Sequence, residues 1–142
     1  MQNAHPNADP REVDRFAALA ESWWDADGPM AALHALNPVR VSYVRDRIVA
    51  HFGRDAAAER PLAGLRLLEI GCGGGILCEP LTRLGAHLTG IDAAAPAIDA
   101  ARAHAMGMGL DIDYRAATAD ALAAAGEEFD AVISLEVIEH VP

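Results

Sequence analysis

The chain has 142 residues, 52% of them apolar, which is the size of one ordinary domain with enough apolar material to build a core. Its formal net charge is −10 and its 11 Lys and Arg are scattered, which excludes a nucleic-acid partner, because phosphate binding rests on clustered cations. Every Ala-rich stretch is interrupted by Asp, Glu, Arg or His, so neither a bilayer-crossing run nor a secretory leader is present, and a soluble cytoplasmic protein acting on a small molecule is expected.

In chain order, the first eight residues read as a loose terminus. Asp9-Pro10-x-Glu12 then starts a helix, with Asp9 as N-cap, and Val13, Phe16, Ala17, Ala20 and Trp24 form its apolar stripe. Asp27-Gly28-Pro29 breaks it. Trp23 and Trp24 read as core packing, with a cover over a ligand as the alternative. A second helix is expected to open at Asn37-Pro38 and to run to Phe52 before Gly53. Arg40 falls in its first turn, where a cation opposes the helix dipole; it reads as a solvated surface residue or as the partner of a carboxylate.

Residues 1–60 are thus expected to form a helical cap region. From Leu65 the pattern alternates strand and helix, the mark of a doubly wound parallel sheet over residues 61–142. Expected strands are Leu65–Ile70, His87–Ile91, Leu110–Tyr114 and Phe129–Leu135, separated by helices over Ile76–Leu84 and from Pro96 and by an Ala-rich helix or turn over Ala119–Ala125. The fourth strand is apolar and needs a neighbour on its open side, so the sequence reads as truncated after it.

The first strand ends in Glu69-Ile70-Gly71-Cys72-Gly73-Gly74-Gly75, four glycines within five positions, where backbone can approach a nucleotide-like cofactor. Cys72 and Cys78 read as reduced packing or loop residues, too close together for a disulfide framework and without partners for a zinc site. The dinucleotide fingerprint requires a third glycine where this chain has Ile76. The spacing Glu69-x-Gly71-x-Gly73-x-Gly75 instead resembles the first motif of the Rossmann-like S-adenosylmethionine (SAM)-dependent methyltransferases. Asp92, 21 positions after Gly71 at the end of the second strand, is placed to accept hydrogen bonds from both ribose hydroxyls. Asp120, after the third strand, is placed to meet an adenine amino group or to cap a helix.

After the fourth strand comes Leu135-Glu136-Val137-Ile138-Glu139-His140-Val141. On a helix, Glu136, Glu139 and His140 stand at i, i+3 and i+4 and converge on a spot that suits a divalent cation. The alternative is a solvated helix face. His140 is the catalytic candidate; as a general base it takes a proton, but a metal-bound histidine cannot, and the ligand role is preferred.

Together, Trp23-Trp24-Asp25 with Gly28-Pro29, Leu33-His34-x-x-Asn37-Pro38-x-Arg40 with Tyr43, Gly71-Cys72-Gly73-Gly74-Gly75-Ile76-Leu77, Gly90-Ile91-Asp92 and Glu136-Val137-Ile138-Glu139-His140-Val141 resemble the ubiquinone-biosynthesis O-methyltransferases. The likeness covers nearly the whole chain after the first dozen residues, and its Trp-Trp-Asp and Asn-Pro-x-Arg stretches are the specific ones. It implies a Rossmann-like α/β fold and SAM contacts at Arg40, Gly71, Asp92 and Leu135, with Arg40 on the cofactor carboxylate. It also implies magnesium at Glu136, Glu139 and His140, and methyl transfer to a phenolic oxygen of a polyprenylated catechol or demethyl-ubiquinol. In the family a further C-terminal half carries more strands, the rest of the acceptor pocket and a membrane-contacting segment. The likeness therefore also implies peripheral contact with the inner membrane face and a ubiquinone-biosynthesis protein complex. Two other readings are a truncated, non-catalytic SAM-binding fragment and an NAD-dependent oxidoreductase; Ile76 speaks against the second.

Overall fold

A computed structural model of the chain describes residues 9–11 and 22–135. Its elements are α1 (Ala31–Phe52), β1 (Arg66–Ile70), α2 (Cys78–Arg83), β2 (His87–Asp92), α3 (Ala95–Gly107), β3 (Asp113–Ala116), α4 (Ala119–Ala124) and β4 (Ala131–Ile133). The strands form one parallel sheet in the order β3-β2-β1-β4. The doubly wound reading therefore holds. Chain order runs outward from β1 through β2 to β3, then returns to the other side of β1, so the topological switch point lies between β1 and β4, where such sheets bind ligands at their carboxyl ends.

Alternation along the strands sorts side chains to two faces. Leu67, Leu88, Tyr114 and Ile133 join Val44, Ile48 and Val49 of α1, Leu81 of α2 and Ile98, Ala101 and Ala105 of α3 in the main core. Leu68 and Ile91 point the other way, onto Leu122 of α4. A fully enclosed Leu67, Leu81 or Ile98 contributes about 1.5–3 kcal/mol, so helices on both faces are what make an apolar parallel sheet stable.

Several element bounds differ from expectation. The helix expected at Asn37 begins at Ala31 and carries Pro38 inside it, at the cost of one backbone bond to His34. Asn37 does not cap: its Nδ2 donates to Ile76 O at 2.9 Å. Arg40 consequently sits in mid-helix, away from the dipole's positive end. The third strand starts at Asp113, not Leu110, because the turn after α3 captures Leu110, whose N–H bonds Ala105 O at 2.9 Å. The fourth shortens to three residues. Asp130 is used to fix register, accepting from Arg66 N at 2.7 Å and donating its own N–H to Arg66 O at 2.7 Å. Phe129 packs on the α4 face beneath the Arg66 guanidinium. At the chain start, the Asp9 carboxylate accepts the Arg11 N–H at 2.9 Å, as an N-cap does; the stripe from Val13 to Ala20 lies outside the described residues.

Candidate functional site

The glycine run leaves β1 as a tight loop with positive φ at Gly71 (72°), Gly73 (54°) and Gly75 (89°), a conformation that side-chain-bearing residues rarely adopt. Gly71 and Cys72 both donate to Ile91 O, at 2.8 and 3.0 Å, and Gly75 donates to Cys72 O at 3.0 Å. Asp92 ties the loop to the end of β2: its Oδ2 accepts from Gly73 N and its Oδ1 from Ala94 N, each at 2.9 Å. Asp92 thus anchors the loop as well as standing at the strand end where the sequence placed it.

The absent side chains of the loop also make room for protein. A Cβ on Gly73 or Gly74 would come within 2.5 Å of Trp23, which lies across both and is 5% exposed. A Cβ on Gly75 would strike the Tyr114 hydroxyl, and one on Gly90 would come within 2.8 Å of the Tyr114 ring. The tryptophans therefore pack onto the protein, Trp23 within the cluster of Met30, Ile76, Ala94 and Ala97 and Trp24 against it. Trp24 Nε1 donates to Gly74 O at 2.8 Å and His34 Nε2 donates to Trp23 O at 2.7 Å. Ile76, in place of the dinucleotide glycine, is buried with Trp23, Met30, Ala94 and Ala97.

Below the loop, Glu69 is 3% exposed and accepts from Cys78 Sγ at 3.1 Å. Burial pushes its carboxyl up to about 7, against the pull of the Cys78 hydrogen bond and the Arg40 charge, with the Asp92 charge adding to the rise. The Cys78 thiol is held well above its usual range by its hydrogen bond to Cys72 and by burial. Both cysteines are free and buried, as expected of packing residues, and Cys78 additionally satisfies a buried acid.

Arg40 is half-buried, not a solvated surface cation. Its Nε is enclosed with no hydrogen-bond partner among the described residues, while its charge reaches Glu69. One helical turn earlier on the same face, Asn37 is bonded to Ile76 O, so Arg40 stands beside the glycine loop. An enclosed guanidinium nitrogen with an open donor fits an anionic ligand. Asp120 lies exposed in the first turn of α4; capping falls to Thr118, whose Oγ1 accepts from Ala121 N at 3.2 Å. Leu135 is half-buried against the main core just past β4. Glu136, Glu139 and His140 lie outside the described residues, among which no cluster of His, Cys, Asp and Glu is built to hold a metal.

The family described as "Methyltransferase domain" matches residues 68–142, more than half of the chain. The chain belongs to this methyltransferase family. A ubiquinone biosynthesis O-methyltransferase of Sinorhizobium medicae is 56% identical over 140 residues, 99% of this chain and 56% of that relative. One from a Chelativorans species is 56% identical over 133 residues, 94% of this chain and 53% of that protein. The chain thus spans a little over half the length of these curated relatives. Among solved structures, magnesium protoporphyrin IX methyltransferase from Synechocystis PCC 6803, solved with bound SAM, superposes with a TM-score of 0.67 at 23% identity, over 99% of this chain and 67% of that one, and shares the fold. In this methyltransferase domain the sequence pointed to the loop, Asp92 and Arg40. It did not single out Asn37 or Tyr114 as contacts of the loop segment, or His34 as a contact of the tryptophans that lie on it; the signal was the His34-x-x-Asn37 pair, which the resemblance counted but whose bonds only the fold supplies.

Proposed function

We propose that this protein transfers the methyl group of SAM to a phenolic oxygen of a polyprenylated catechol or demethyl-ubiquinol in ubiquinone biosynthesis. The observation that supports the reading is Arg40, an enclosed donor without a hydrogen-bond partner among the described residues, beside a loop whose family is that of methyltransferases. The names of the 56% identical relatives support the reaction class.

SAM supplies a methyl group made electrophilic by its sulfonium. Arg40 binds the cofactor carboxylate, Gly71 gives close backbone approach, Asp92 accepts the ribose hydroxyls, Asp120 faces the adenine amino group and Leu135 lines the pocket. Gly73 serves through its N–H bond to Asp92, which holds the loop in shape. Forming a phenolate at neutral pH costs about 4 kcal/mol for a phenol of ordinary pKa. Glu136, Glu139 and His140 are proposed to hold a magnesium ion that would offset this by drawing the two catechol oxygens toward their ionised form. Their i, i+3, i+4 spacing supports that role. Residues 1–60 act as a helical cap over the cofactor unit of 61–142, a division supported by the seat of Trp23 and Trp24 on the loop. A lipid acceptor implies work at the inner membrane face, beside other ubiquinone-biosynthesis proteins; no helix among the described residues is long and apolar enough to cross a membrane.

The test is transfer of labelled methyl from SAM to a polyprenylated catechol, with and without EDTA. Expected are a methylated phenol, loss of turnover on chelation and recovery with magnesium. Unchanged turnover in excess EDTA removes the metal from the account, and no transfer to any catechol overturns the acceptor class.

A further inference from the structure

Glu79 is fully buried on α2, immediately after the glycine loop, and its Oε2 accepts from His104 Nδ1 of α3 at 2.6 Å. Its other oxygen receives Arg83 at 3.5 Å. A carboxylate is kept at zero exposure only where it is paired and hydrogen-bonded, and this one is spent on orienting an imidazole. That imidazole lies flat on the Trp24 indole, ring centroids 3.6 Å apart and planes within 1°. On its edge the indole meets His34 at 5.7 Å in a T-shaped contact, and its Nε1 donates to Gly74 O. Glu79, His104, Trp24 and Gly74 are therefore one continuous chain of contacts from a buried acid to the backbone of the cofactor loop.

We propose that Glu79 and His104 are positioning residues for cofactor binding, acting through Trp24 to hold the glycine loop in its binding conformation. Three of the loop's glycines sit at positive φ, where the backbone has other accessible conformations, and an apparent dissociation constant rises in inverse proportion to the fraction of chains in the competent one. Gly73 is fixed by Asp92 through its N–H, and the Trp24 bond fixes the next residue, Gly74, through its carbonyl. His104 supplies the flat surface that sets the indole's angle, and Glu79 sets the imidazole's. Without the stack, Trp24 loses the surface that fixes the orientation aiming its N–H at a carbonyl.

This rests on the SAM reading, so the experiment separates the two. S-adenosylhomocysteine is titrated calorimetrically into the wild-type chain, Trp24→Phe, His104→Ala and the double variant, each well below its own melting temperature. Trp24→Phe retains an aromatic ring for the stack and removes the N–H donor. We expect each single variant to bind about three- to tenfold more weakly, the range of one lost hydrogen bond, and the double variant to bind no more weakly than the worse single, because both act through one contact. In turnover, the KM for SAM rises and kcat is kept. Lower melting temperatures with wild-type affinity would reduce the brace to a stability feature and overturn the proposal, as would fully additive losses. A wild-type chain that does not bind S-adenosylhomocysteine overturns the cofactor reading itself, and the brace with it.

Discussion

Glu69 shows how one residue carries both the fold and the site. Its carboxyl holds a proton up to about pH 7 in the folded chain, against an ordinary value of 4.5. The folded state therefore binds more protons between these values, and stability falls as pH rises through that window, by up to about 3 kcal/mol. The contribution is intact below the lower value and fully lost above the upper one. Glu69→Gln has no such titration, so from about pH 5 to about pH 8 the wild type should lose stability relative to the variant by that order. Urea unfolding at intervals across the range checks this; a difference that stays constant with pH contradicts it. At this scale the acids were legible because their chemistry is tied to strand ends: Asp92 closes β2 as the sequence indicated. The tasks of Glu69 and Asp92 inside the protein were not, since a buried thiol partner and two loop N–H bonds depend on packing that no local pattern encodes.

Among elements, the contrast between two glycines separates room from propensity. Gly74 lies under Trp23, where an added Cβ would sit 2.5 Å from the indole's Cβ and Cγ, and such overpacking costs about 1–3 kcal/mol. Gly107 ends α3 with nothing within 4 Å and without a positive φ. We expect Gly74→Ala to lower the urea midpoint and Gly107→Ala to raise it, the latter by about 0.5 kcal/mol of helix propensity. Equal effects from the two would contradict the packing of Trp23 on the loop. The order and type of elements from β1 to β4 could be read from apolar runs and glycine breaks, because those patterns report burial directly. The bounds could not where a residue with a strong local signal was taken for a tertiary contact. Asn37-Pro38 carries every mark of a helix start, yet the helix runs through it because Asn37 is bonded to Ile76. Leu110 looks like strand and is held by the end of the preceding helix.

At the scale of the whole molecule, the strand order puts the carboxyl ends of β1 and β4 beside each other, and the N-terminal helix α1 brings Arg40 to the same end. The covering segment with Trp23 and Trp24 closes over the loop from 50 residues away in sequence, as the Trp24–Gly74 bond shows. That long-range closure is the part of the site that spacing alone could not supply. It turns a generic nucleotide loop into one in which Ile76, where a dinucleotide fold has glycine, is sealed by aromatic packing. We propose that this end of the sheet binds SAM through Arg40. The most direct measurement is calorimetric titration of the chain with S-adenosylhomocysteine and, in parallel, NADH, repeated on Arg40→Gln. The account predicts saturable binding of S-adenosylhomocysteine, weakened about tenfold or more by the substitution through loss of a charge-assisted contact, and no binding of NADH. Binding of NADH without S-adenosylhomocysteine, or an affinity for S-adenosylhomocysteine untouched by Arg40→Gln, would contradict it.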